Sequence, residues 1–88
     1  MGNAPTGKEF VSLVNLIVDY RQPELERLDP DNSLLKCDVR KIPGGVEYGP
    51  DFGKRFEGKP LNEALQSYYW QLCGEIGKQK VKIRNLKS

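Results

Sequence analysis

From Lys78 to Ser88 the chain carries five cations and no acid, and Lys80, Lys82 and Arg84 alternate with Val81 and Ile83. Successive side chains of a strand point to opposite faces. The alternation therefore predicts a terminal strand with two aliphatics turned into a core and a row of positive charge in water. It commits the fold to a sheet that includes residues 79–86.

The rest of the chain must supply that sheet and a core. Eighty-eight residues make one domain with a single modest core and a narrow stability margin. A 38% hydrophobic and 30% charged composition is globular rather than disordered. No apolar run approaches the roughly 18–20 residues that span a bilayer, and the N-terminal stretch lacks a secretory pattern. Cys37 and Cys73 are too few for a disulfide scaffold and read as reduced thiols of a cytoplasmic protein.

Thr6-Gly7-Lys8-Glu9 has the form of a capping box opening a helix from about Gly7 to Arg21, with Pro23 ending it. Phe10, Val11, Leu13, Val14, Leu16, Ile17, Val18 and Tyr20 cover most of its circumference, so it is expected to be buried on more than one side. Asp29 to Ser33 is turn chemistry. Leu35, Cys37 and Val39 then alternate with Lys36, Asp38 and Arg40 as a half-buried strand, and Pro43-Gly44-Gly45 turns into a shorter one around Val46–Tyr48. Residues 49–59 read as a loop pinned by Phe52 and Phe56. Pro60 opens a second helix whose core stripe is Leu61, Leu65, Tyr68, Leu72 and Ile76, and Gly74 and Gly77 are expected to stop it. The resulting expectation is an α+β domain over residues 1–88 in the order α-β-β-α-β. Its small antiparallel sheet uses residues near 34–42, 45–48 and 79–86, and both helices pack on one face.

Catalysis is disfavoured by composition. The chain has no histidine, the commonest general base near neutral pH, and nothing in sequence activates Cys37 or Cys73 as a nucleophile. No catalytic residue, metal ligand or cofactor is assigned. Gly53 to Lys59 has phosphate-loop spacing, but Pro60 stands where a Ser or Thr is required. Asp29, Asp31 and Ser33 begin a calcium-loop pattern that Leu34 and Arg40 break. Gly74-Glu75-Ile76-Gly77 has the spacing of the G-x-x-G loop of KH RNA-binding domains, but an acid sits where phosphates would lie and no helix is expected to follow. Those glycines read as a helix stop.

What remains is surface. Residues 1–32 carry three cations and six anions, and residues 33–88 carry eleven and six. Trp70 falls about 180° from Leu61 on the second helix, among polar residues, with Tyr69 flanking the core stripe. Such a tryptophan is either covered by another part of the fold or serves as a binding anchor. These features favour a non-catalytic protein-interaction module: a small subunit, adaptor or inhibitor that binds a larger assembly, or a homodimer. Trp70 and Tyr69 would anchor the partner, and Lys80, Lys82 and Arg84 would orient it. The alternative is nucleic-acid binding through a basic sheet face, with Lys36, Arg40, Lys54 and Arg55 also contacting phosphate. Lysines on an edge strand also serve simply to discourage aggregation. Met1 to Thr6 fits an N-myristoylation pattern, which makes a lipid-anchored adaptor the third reading, although a membrane partner is not favoured.

Overall fold

The computed structural model describes residues 7–87, with side chains from Glu9 to Leu86. The Thr6 capping box and the Gly2 acylation pattern lie outside the described residues. The order is α1 (Gly7–Asn15), a π-helical segment (Leu16–Arg21), α2 (Gln22–Leu28), a 3-10 helix (Ser33–Cys37), β1 (Val39–Ile42), β2 (Gly45–Tyr48), α3 (Phe52–Arg55) and α4 (Leu61–Lys87). This is a small α+β arrangement built on a two-stranded antiparallel sheet. The expected order α-β-β-α-β is corrected at its end, because residues 79–86 belong to α4 and no C-terminal strand forms among the described residues.

The first helical run does not stop at Pro23. Proline lacks an N–H and crowds the carbonyl four residues back. The chain accommodates it by widening the preceding turn: the Gln22 N–H donates to Ile17 O, five residues back, and Pro23 then sits in the first turn of α2, where proline is tolerated. Only one side of this run is covered. Val14 and Ile17 are buried, whereas Val11, Leu16 and Tyr20 are exposed, which corrects the expectation of burial on several sides.

The strand expected near 34–42 begins only at Val39. Asn32 Oδ1 accepts from the Leu34 N–H at 2.9 Å, which turns the next residues into the 3-10 helix. The hairpin pairs Val39 with Tyr48 and Ile42 with Gly45, so Pro43 and Gly44 form a two-residue turn. Gly44 has φ 87°, the conformation that glycine adopts without steric cost. In such a ladder bonded and non-bonded pairs alternate, which leaves the Val39 N–H and C=O pointing away from β2. Gln22 meets both: its Oε1 accepts from the Val39 N–H at 2.6 Å and its Nε2 donates to Val39 O at 2.9 Å. One side chain thus stands where a neighbouring strand would.

Tyr68, Leu65, Leu72, Ile17 and Leu25 fill the centre of one hydrophobic cluster. Tyr48, Phe52, Phe56 and Tyr68 stack along its edge with ring centroids 4.7, 4.9 and 5.9 Å apart in succession for Tyr48–Phe52, Phe52–Phe56 and Phe52–Tyr68. These rings pin residues 49–59, and the short helix α3 lies within that segment. The expected stripe Leu65, Tyr68, Leu72 and Ile76 is buried on α4.

Gly74 and Gly77 do not stop α4. Each costs the helix about 1 kcal/mol relative to alanine. Burying Ile76 contributes about 1.5–3 kcal/mol, which offsets much of the two penalties. Polar contacts hold the helix on both sides of the second glycine. Asn32 donates to Glu75 at 3.1 Å, Gln79 donates to Asp29 at 3.3 Å, and Lys80 pairs with Glu24 at 2.7 Å. At about 1.5 Å per residue α4 is about 40 Å long. Val81, Ile83 and Leu86 are all exposed, so its last turns lie beyond the core.

Candidate interaction face

Helix α4 has two unlike sides. Leu61, Leu65, Tyr68, Leu72 and Ile76 lie within about 80° of one another and face the core. On the opposite side lie Glu63, Ser67, Trp70, Gly74, Gly77, Val81 and Arg84, spaced alternately by four and three residues. That spacing keeps seven positions on one face of a straight helix. Trp70 is 69% exposed and Val81 51% exposed. Open space surrounds Gly74 and Gly77, where an added Cβ would meet nothing within 4 Å. The face is therefore a shallow apolar notch between an indole and a valine.

Neighbouring contacts fix the orientation of this face. On one flank Arg21 lies over the Tyr69 ring at 5.7 Å and pairs with Glu24 at 3.4 Å, while Glu24 also receives Lys80. The hydrogen bond from Lys80 holds the Glu24 carboxyl below its ordinary range. The Arg21 Nε is buried without a hydrogen-bond partner. On the other flank the Arg55 Nε donates to Gln71 Oε1 at 2.8 Å, and Glu75 receives Asn32 and Lys78. Those two bonds, Asn32 first, lower the Glu75 carboxyl. Anchored on both flanks, α4 keeps Trp70 turned outward. Tyr69 is half-buried and meets the indole edge-on at 5.3 Å.

The expected cation row is not assembled. Lys80, Lys82 and Arg84 lie on one helix at about 100°, 300° and 140° from Leu61, so Lys82 falls across the helix from the other two. Lys80 is paired with Glu24. Arg40 projects from β1 and pairs with Asp38 at 3.4 Å and Glu47 at 3.2 Å. Lys36 is on the 3-10 helix, and Lys54 and Arg55 are on α3; all three are exposed. With two strands in place of three, no basic sheet face joins Lys36 and Arg40 to residues 80–84.

Sequence reasoning missed the depression beside the π-helical segment. It has a volume of about 520 Å³ and is lined by Leu16, Tyr20, Arg21, Glu24 and Arg27 among others. The signal available was Pro23 inside a helical pattern, since a proline there must either end the helix or widen the turn before it. Cys37 is buried, and burial pushes its thiol up; Cys73 is half-buried on α4. Among the described residues no cluster of three or more His, Cys, Asp and Glu could hold a metal ion, and no helix is long and apolar enough to cross a membrane.

Comparison of the chain with known protein families, with curated proteins and with solved structures found no match.

Proposed function

We propose that the protein is a non-catalytic protein-interaction module whose contact surface is the outward face of α4, centred on Trp70. The observation that carries this reading is the exposure of that indole on a helix already anchored by its opposite side. Interface anchors are enriched in tryptophan, and aromatic side chains supply large contact area with little rotamer entropy to lose. Val81 extends the apolar surface by three turns, and Tyr69 supports the indole from the side. The cations around the end of α4 would speed the approach of an acidic partner and tune its orientation.

Affinity capture with wild type and Trp70→Ala tests the reading. A protein, or a second copy of the chain, retained by wild type and lost with the variant is the expected result. Binding unchanged by Trp70→Ala would remove this face from the interaction. Absence of any protein partner, together with salt-sensitive binding to a nucleic-acid duplex, would transfer the function to the alternative class.

A further inference from the structure

We infer that the outward face of α4 binds a second copy of this chain, antiparallel and about a two-fold axis that passes between Gly74 and Gly77. This rests on the reading of that face as the contact surface and names its partner.

The sequence order along the face is self-complementary. With the axis between Glu75 and Ile76 in chain order, Gly74 lies opposite the partner's Gly77, Trp70 opposite the partner's Val81, and Ser67 opposite the partner's Arg84. A two-fold interface needs one patch that matches itself under rotation. Each indole then rests against the partner's valine, one turn from the glycine crossing. Small residues at the crossing let the backbones approach, which brings each indole onto the partner's surface as an interface anchor. The alternating four- and three-residue spacing continues from Glu63 to Arg84, long enough for the helices to stay in contact over most of their length.

Charge selects the antiparallel direction. The first half of α4, Leu61 to Gly74, has Glu63 as its one charged residue, and the second half has Lys78, Lys80, Lys82, Arg84 and Lys87 against Glu75. Parallel helices would bring the two basic halves together. Antiparallel helices place each basic half along the partner's uncharged half, and Arg84 comes within one turn of the partner's Glu63. The exposed Val81 is thereby laid against the partner chain rather than left in water.

Trp70 is the chain's one tryptophan and reports on its own burial. Light scattering and tryptophan emission are followed from about 1 μM to 1 mM, a span that brackets micromolar association. The expected result is a monomer that becomes a dimer on concentration while emission moves to shorter wavelength. Trp70→Ala and Gly77→Gln should each weaken association at least tenfold. Gly77→Gln places a good helix former where no atom is crowded, so the variant keeps its fold. Nitroxides at Asn85, introduced as Asn85→Cys with Cys73→Ser, should lie about 30 Å apart along the axis in the antiparallel pair, and roughly 10 Å apart in a parallel one.

A monomer at every concentration overturns the inference, as does a dimer that survives both variants or a short nitroxide distance. A monomer that still captures another protein through Trp70 ends the inference and leaves the interaction-module reading standing. A monomer that captures nothing ends both.

Discussion

Replacing Gln22 with alanine should destabilise the fold far more than its half-buried position suggests. The Gln22 amide is paired to both backbone groups of Val39, a residue with no solvent exposure. Its Oε1 also lies 2.9 Å from the Tyr68 hydroxyl, which has a second acceptor in Leu34 O at 3.1 Å. The hydroxyl has one proton and serves one acceptor at a time. Alanine at position 22 therefore orphans a buried N–H and a buried C=O, at about 1–3 kcal/mol each where water cannot reach them. With partial access along the edge of β1, the expected loss is about 3 kcal/mol, a large share of a small domain's stability.

Tyr68→Phe gives the internal comparison. It removes one donor, leaves Gln22 paired with Val39, and should cost about 1 kcal/mol, or roughly 4–8 °C in Tm. In the Gln22→Ala background Tyr68 keeps Leu34 O, so the two losses should combine to less or more than their sum by at least about 0.5 kcal/mol. Urea unfolding followed by circular dichroism measures all three variants, and amide exchange at Val39 should accelerate only where Gln22 is absent. A Gln22→Ala variant no less stable than Tyr68→Phe would refute the assignment of this side chain as a substitute strand.

Two further perturbations read other parts of the fold. A Cβ at Gly49 would press on Lys36 O and Asp38 Oδ1 and lie 2.8 Å from Asp38 N, so Gly49→Ala should cost about 1–3 kcal/mol in urea unfolding. Gly53→Ala, with nothing within 4 Å, should be neutral or stabilising by up to about 1 kcal/mol. The second perturbation is acid. Glu24 is lowered by the hydrogen bond from Lys80, and Glu75 by those from Asn32 and Lys78. A carboxyl lowered in the folded state adds stability that is complete above its unfolded value near 4.5 and lost as pH falls through the folded one. Melting temperature should therefore fall below about pH 4.5, and Glu24→Gln should flatten that fall by less than about 1 kcal/mol because Lys80 is well exposed.

What could be read from sequence was whatever depends on local geometry. The hairpin followed from Pro43-Gly44-Gly45, of which Gly45 opens β2, the stripe of α4 from its 3.6-residue period, and the pinning of residues 49–59, though not the helix α3 within them, from Phe52 and Phe56. The largest error, the terminal strand, has a physical cause. Residues 78–87 satisfy a period of two as well as a helical period, since Ile83 and Leu86 continue the Leu72–Ile76 stripe while Val81 continues the Trp70 side. Lengthening an existing helix adds a hydrogen bond per residue, whereas a new strand must find an edge and close a loop to reach it. One such edge, at Val39, is already occupied by Gln22. Neither fact is visible to a windowed pattern, because both depend on residues distant in sequence. Pro23 misled for the converse reason: its local veto on helix was met by one wide turn.

The cations of α4 acquire a different meaning once the segment is helical. Arg84 lies in the last turn, where the helix carries partial negative charge and a cation is worth about 0.3–1 kcal/mol. Lys80 and Lys78 also have carboxylate partners within the chain. Lys78, Lys80 and Arg84 thus have an intramolecular role. Trp70 has almost none. It touches Tyr69 edge-on and leaves most of its surface in water, so Trp70→Ala should change the unfolding free energy of the monomer by no more than about 0.5 kcal/mol. A large loss would make the indole a structural residue and empty the interaction face of its anchor. A small loss of stability combined with lost association would separate the two roles, and it would place the function of α4 on the side that the core does not use.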